Sequence, residues 1–120
     1  MDFKCIHINK ELTIIKLSAN KLDTKNAPDL KSNLVLLGNQ GFRHIILDVS
    51  NCHQIDSSGL NAILIASRIC EDANGCFVLT GLQSEVTRLV RLSMFHTFLE
   101  ITDTMDEACQ LVERKEQFQF

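Results

Sequence analysis

The chain has 120 residues, 45% of them hydrophobic, and a formal net charge of −3. A chain of this length and apolar content is the usual size of one domain and can bury one continuous core. The negative balance offers no broad basic surface to a phosphate backbone, so we expect no direct contact with nucleic acid.

The first elements are predicted to be a β-hairpin and a helix. Phe3–Asn9 alternates polar and apolar residues, and Leu12–Leu17 is rich in β-branched residues, which is typical of two short strands joined by a turn. The next segment has Pro28 near its start and leucines at helical spacing, and this pattern predicts a helix that ends at Gly38 or Gly41.

The rest of the chain is predicted to alternate strands and helices. We expect a buried strand over 44–49, a helix over 59–72 closed by Asn74 and Gly75, a strand over 76–80, a helix over 83–93, a strand over 98–101 and a helix over 104–115. In the helix over 83–93, the apolar stripe that we expect to face inward comprises Val86, Leu89, Val90 and Leu92. This alternation indicates an α/β fold with a mainly parallel sheet, crossover helices and an antiparallel hairpin at one edge.

Cysteine usage and the lack of targeting segments favour a cytoplasmic protein. The five cysteines are odd in number and show no C-x-x-C spacing, which argues against a disulfide framework and a zinc site. The first twenty residues do not have the pattern of a signal peptide, and no window approaches eighteen apolar residues. We therefore expect a reducing compartment and no membrane insertion.

Two adjacent serines, Ser57 and Ser58, stand where the strand over 44–49 and its following loop give way to a helix. Either Asp56 or Ser57 is expected to cap this helix, which leaves Ser58 with the freer hydroxyl group. A phosphate adds about −1.5 to −2 charges at pH 7, and the N–H groups and dipole of a helix start can hold it without unfolding the domain. The junction therefore predicts a modification that changes partners and leaves the fold intact.

One face of the same helix is predicted to bind a partner. Steps of three and four residues from Ser58 reach Asn61, Ile65, Arg68 and Asp72, which form a single stripe. Most of the stripe is polar, so we expect it to be exposed, with Ile65 as an apolar anchor for a partner. The alternative is that Ile65 packs on a neighbouring helix.

Catalytic and metal-binding interpretations are less well supported by the residues. Ser58 as a hydrolytic nucleophile would need a base and a G-x-S-x-G elbow, and the chain lacks that elbow, so we expect no enzymatic activity. Cys52 and His53 with Asp56 could suggest a metal, yet adjacent turn residues seldom point at one ion, so we expect no metal. The sequence contains neither of the phosphate-binding motifs G-x-x-x-x-G-K-[ST] and G-x-G-x-x-G, so no cofactor is expected.

Asp48, the C-terminal tail and three histidines can be interpreted as structural. Asp48 lies near the end of a strand, where α/β proteins place functional groups, but it can equally hydrogen-bond to the loop over 50–54. We expect the core to span about residues 3–111 of a single domain over 1–120, and residues 112–120 to form a helix end or tail. Phe118 and Phe120 in that tail could instead dock on the domain or on a second copy. The histidines expected to be structural are His7, His44 and His96.

The sequence H-I-I-L-D-V-S over 44–50, followed by I-D-S-S-G-L over 55–60, resembles that of STAS domains, particularly the free-standing bacterial anti-sigma-factor antagonists. The resemblance runs from about Phe3 to about Leu111, with weaker support from segments 22–23, 79–82 and 106–108. It implies a single α/β domain with a mainly parallel central sheet, an antiparallel N-terminal hairpin strand and about four helices. The chain departs from many relatives at Ala19–Lys21 and at Met94, positions where those relatives have glycine.

The resemblance also implies a function. The second serine of the motif, here Ser58, is implied to be phosphorylated, with Ser57 less favoured. The unmodified protein would bind a GHKL-type serine kinase that doubles as an anti-sigma factor and so free the sigma factor, and a PP2C-type phosphatase would restore this form. A second class of function is an adaptor subunit of an ABC-type lipid transport complex. The residues predicted to bind a partner, from the motif and from the helix stripe together, are Asp23, Asp56, Ser57, Ser58, Gly59, Asn61, Ile65 and Arg68.

Overall fold

The computed structural model describes residues 2–117. The strands are β1 (Phe3–His7), β2 (Leu12–Leu17), β3 (Lys21–Leu22), β4 (His44–Asp48), β5 (Gln54–Ile55), β6 (Phe77–Thr80) and β7 (Glu100–Thr102). The helices are α1 (Ala27–Asn39), α2 (Ser57–Asp72), α3 (Ser84–Leu92) and α4 (Met105–Gln117), with a short 3-10 turn at Phe95–Thr97. Within the described residues, none of these helices is long and apolar enough to cross a membrane.

The main sheet has five strands in the order β1-β2-β4-β6-β7. β1 is antiparallel to β2, and every other neighbouring pair in this sheet is parallel. The hairpin turn is fixed by the side chain of Asn9, whose Oδ1 accepts hydrogen bonds from the backbone N–H groups of Glu11 and Leu12, both at 2.8 Å. The predicted α/β architecture, with a hairpin at one edge, is confirmed.

Helices cover both faces of the sheet. α1, α2 and α3 contribute to the core on one face, where the strand residues Ile15, Ile45 and Leu79 are fully buried. α4 covers the other face, where Ala108 and Val112 pack with residues of β2, β4 and β6. The predicted buried strand over 44–49 is therefore correct, because the central position of β4 leaves both of its faces covered.

The α3 region differs from the sequence prediction at two points. Leu92 does not face inward, since its side chain is 71% exposed. Val86 and Val90 are the buried residues of α3, and Leu92 comes two positions after Val90, which places it about 200° around the helix axis. The last strand begins at Glu100, since the residues before it form the 3-10 turn and leave Phe98 exposed.

Two short strands were not predicted. β3 and β5 form a separate parallel pair, with Lys21 opposite Gln54 and Leu22 opposite Ile55. At the other end of the chain, α4 continues to Gln117, and the predicted docking of Phe118 and Phe120 lies outside the described residues.

Candidate functional site

The β3–β5 pair brings two acidic residues to the start of α2. Leu22 and Ile55 are register partners, so the residues that follow them, Asp23 and Asp56, lie side by side. The backbone N–H of Asp56 donates to the carbonyl oxygen of Leu22 at 3.1 Å, which extends the pairing by one step. Two residues that are distant in sequence, both predicted to bind the partner, are therefore neighbours in the fold.

Asp56 caps α2. Its backbone is extended, with φ −98° and ψ −173°, and its Oδ1 accepts a hydrogen bond from the backbone N–H of Gly59 at 3.0 Å. This resolves the alternative between Asp56 and Ser57 in favour of Asp56. The N–H groups of Ser57 and Ser58 lie in the first turn, where a helix offers no acceptor, so the start of α2 favours a negative charge.

Gly59 allows α2 to approach the β3–β5 pair closely. A Cβ atom at this position would lie 2.6 Å from the carbonyl oxygen of Leu22 and 2.7 Å from Cγ2 of Ile55. Both distances are shorter than van der Waals contact, so any larger residue would push α2 away from the two strands. Gly59 was predicted to bind the partner, but it is buried, and its role at this site is to hold the motif serines in position.

The two serines carry hydroxyl groups without hydrogen bonds. Ser57 is exposed and Ser58 is half-buried. Among residues 2–117, neither side chain forms a hydrogen bond. The freer hydroxyl was predicted at Ser58, whereas in the described part of the chain both hydroxyl groups are unbonded and Ser57 is the more accessible of the two.

The stripe of α2 that was predicted to bind a partner lies largely at the surface. Asn61 and Arg68 are exposed, whereas Ile65 is half-buried. α1 approaches α2 one turn further along, where a Cβ atom at Gly38 would lie 3.0 Å from Cγ2 of Ile69. Ile65 is therefore at the border between the α1 contact and the exposed stripe.

A cavity of about 600 Å³ lies between the β3–β5 pair and α3, and Asp23 and Asp56 are on its wall. The side chain of Gln83 secures the start of α3 beside it, since its Nε2 donates to the carbonyl oxygen of Ser50 at 2.6 Å. The sequence prediction missed this cavity. The residues that line it are Lys21, Leu22, Asp23, His53, Gln54, Ile55, Asp56, Glu85, Arg88, Leu89 and Leu92.

Within residues 2–117, no group of three His, Cys, Asp or Glu side chains is placed to hold a metal ion. Cys52 is buried, its Sγ donates to the carbonyl oxygen of Gln54 at 3.3 Å, and burial raises the pKa of its thiol. His53 is exposed and its Nδ1 lies 3.8 Å from Oε2 of Glu85.

Asp48 makes the loop contact that was predicted as its structural role, since its Oδ1 accepts from the backbone N–H of Ser50 at 2.9 Å.

Comparison with known proteins places this site in a family. The model of the STAS domain family matches residues 5–108. The chain belongs to the STAS domain family. A Thermotoga maritima protein named as an anti-sigma factor antagonist is 31% identical over 77 residues, which cover 64% of this chain and 68% of that protein.

Solved structures agree with the family assignment. The crystal structure of an anti-sigma factor antagonist from Thermotoga maritima superposes with a TM-score of 0.82 at 26% identity, covering 92% of this chain and 94% of that one. The anti-sigma factor antagonist SpoIIAA in its unphosphorylated form gives a TM-score of 0.81 at 21% identity, covering 92% and 96%. The phosphorylated form of SpoIIAA, from Bacillus, gives 0.73 at 21% identity, covering 92% and 98%. This STAS domain therefore has the fold of anti-sigma factor antagonists over nearly its full described length.

Proposed function

We propose that this STAS domain is an anti-sigma-factor antagonist whose binding to a serine kinase is switched by phosphorylation of Ser58. The observation that carries the proposal is the start of α2, where Asp56 supplies the cap and leaves the serine hydroxyls unbonded. A kinase can then modify a serine without removing an interaction that stabilises the helix. The choice of Ser58 over Ser57 rests on the STAS motif, in which the second serine is the modified one.

The unmodified protein binds a GHKL-type serine kinase that doubles as an anti-sigma factor, and this binding releases the sigma factor. A PP2C-type phosphatase removes the phosphate and restores the binding form. The domain regulates by binding and has no catalysis of its own. The proposed binding surface comprises Asp23, Asp56, Ser57, Ser58, Asn61, Ile65 and Arg68, and the buried Gly59 positions the two serines within it.

The charge of the phosphate determines whether phosphorylation strengthens or weakens binding of the kinase. A phosphate on Ser58 places about −1.5 to −2 charges two residues from the carboxylate of Asp56, and the partner would have to desolvate both. The helix start tolerates the added charge because its N–H groups and dipole favour anions. The modification should therefore weaken the complex without unfolding the domain.

Kinase treatment followed by peptide mapping tests the assignment of Ser58. We expect the GHKL-type kinase of the same organism to add one phosphate from ATP, within the peptide that spans Ile55–Arg68. The Ser58→Ala variant should accept no phosphate, whereas the matched control Ser57→Ala should be modified like the wild type.

Two results would contradict the proposal. One is phosphate on Ser57 or on neither serine. The other is a protein that ignores the kinase and co-purifies stoichiometrically with the ATPase of an ABC transporter, which would favour the adaptor function.

A further inference from the structure

We propose that the buried side chain of Asn26 is a positioning residue for kinase binding, because it fixes the place of Asp23 beside Asp56. This inference rests on the proposed function, since the effect of Asn26 is measured on the complex with the kinase. Asn26 immediately precedes α1 and is 6% exposed. It lies outside the serine motif over 55–60 and was not among the residues predicted to bind the partner.

The side-chain amide of Asn26 binds the backbone on both sides of Leu22. Its Nδ2 donates to the carbonyl oxygen of Lys21 at 2.8 Å, and its Oδ1 accepts from the backbone N–H of Asp23 at 2.9 Å. The reverse orientation of the amide would set donor against donor and acceptor against acceptor, so the two partners determine which atom is which. The side chain therefore fixes segment 21–23 at two points.

A residue at the position of Asn26 usually serves the helix that follows. An asparagine before a helix typically accepts an N–H from the second or third helical residue. The side chain of Asn26 makes no such bond, and the second residue of α1, Pro28, has no N–H to donate. The amide is thus used by the β3 segment and not by its own helix, which indicates that its contribution is the placement of that segment.

The segment that Asn26 fixes is in direct contact with the start of α2. The carbonyl oxygen of Leu22 accepts the backbone N–H of Asp56 at 3.1 Å. The same oxygen would lie 2.6 Å from a Cβ atom at Gly59, so α2 packs tightly against it. A displacement of Leu22 would therefore change the distance between Asp23, which follows it, and the helix that carries the serines.

Two substitutions of Asn26 test this role. Asn26→Asp keeps the shape of the side chain but loses the donor and sets an oxygen against the carbonyl of Lys21. Asn26→Ser removes the amide without adding a charge. The affinity of the purified kinase for the unphosphorylated protein, measured by calorimetry, should fall by about tenfold or more in both variants. The calorimetric stoichiometry reports the fraction of binding-competent protein separately from the affinity.

A double-mutant cycle with Asp23→Ala separates positioning from a general loss of stability. If Asn26 acts by placing Asp23, its substitution matters little once the carboxylate of Asp23 has been removed. In the Asp23→Ala background, Asn26→Ser should therefore lower the affinity by less than about threefold. A purely structural role would lower the affinity by the same factor in both backgrounds.

Asn9→Asp is the matched control for the added charge. Asn9 lies in the hairpin turn between β1 and β2, at the opposite end of the parallel strands. It accepts the backbone N–H groups of Glu11 and Leu12 at Oδ1, and an aspartate can accept them as well. This variant should bind the kinase with an affinity within about twofold of the wild type.

The outcomes separate this inference from the proposed function. If the kinase binds and phosphorylates the wild type but binds both Asn26 variants equally well, Asn26 has no positioning role and the switch at Ser58 stands. Equal losses of affinity with and without Asp23 would also overturn the inference, as would failure of both variants to fold, since the amide would then support the whole domain. If the kinase neither binds nor modifies the wild type, the proposed function fails and this inference fails with it.

Discussion

The side chain of Asp56 has two roles at the start of α2, as helix cap and as part of the proposed partner surface. The Asp56→Ala variant removes the hydrogen bond to the Gly59 N–H, so the free energy of unfolding should fall by about 1 kcal/mol. Urea denaturation measures this loss. Asp56→Asn is the control, since its side-chain oxygen can still cap the helix, and equal stability of the alanine and wild-type proteins would contradict the assigned cap.

For individual residues, the sequence predicted which side chains form the site better than it predicted how they are placed relative to one another. The stripe Asn61, Ile65 and Arg68 follows from helical periodicity alone, because i, i+3 and i+4 positions share a face. The identity of the cap was left open between Asp56 and Ser57, since it depends on backbone angles that only the folded chain defines. The cavity residue Arg88 was missed because no local pattern connects α3 with β5.

Met94 shows how a single residue sets the geometry of an element's end. It follows α3 with φ 66° and ψ 13°, a left-handed conformation that costs an L-residue about 1–2 kcal/mol relative to a right-handed one. Its side chain is 58% exposed, so packing offsets little of this cost.

We therefore expect Met94→Gly to raise the free energy of unfolding by about 1 kcal/mol, as measured by urea denaturation. Met94→Ala is the matched control: it removes the exposed side chain but keeps the Cβ atom, so its stability should stay near that of the wild type. A less stable glycine variant would show that the backbone angle carries no strain.

Long periodic elements were predictable, and elements defined by a distant partner were not. The hairpin, the four helices and the two buried parallel strands have periodicity or turn residues that identify them locally. β3 and β5 have two residues each and exist only because they pair with each other. The predicted inward stripe of α3 wrongly included Leu92, because an apolar residue at a helix end can lie on the outer face.

His44 lies between the sheet and the last turn of α4 and contacts both. Its fully buried ring accepts a hydrogen bond at Nδ1 from the backbone N–H of Cys76 at 3.1 Å. Its Nε2 lies 3.0 Å from Oε1 of Glu116 in the last turn of α4, without hydrogen-bond geometry. Burial and then the charge of Arg43 lower the pKa of His44, and the carboxylates of Glu116 and Glu11 oppose this shift.

The lowered pKa of His44 predicts a pH-dependent stability. Below the ordinary pKa of 6.5, the unfolded chain binds a proton at His44 more readily than the folded chain does, because the pKa of His44 is lower in the folded state. The free energy of unfolding should therefore decrease as the pH falls from about 7.5 to about 5.5, until the folded pKa is passed.

Denaturation of His44→Gln over the same pH range isolates this contribution, because the slope due to other groups is common to both proteins. The glutamine variant should show a shallower decrease. An equal slope in the two proteins would assign the pH dependence to other residues.

The affinity of the kinase for the Ser58-phosphorylated protein, compared with its affinity for the unmodified protein, tests the central claim most directly. Calorimetric titration of both forms should show binding weakened several tens-fold by the phosphate, at about 1.4 kcal/mol for each factor of ten. The circular dichroism spectra and melting temperatures of the two forms should be similar, because the start of α2 accommodates the charge. Equal affinity for the two forms would contradict the account, as would a phosphorylated protein that binds weakly only because it has unfolded.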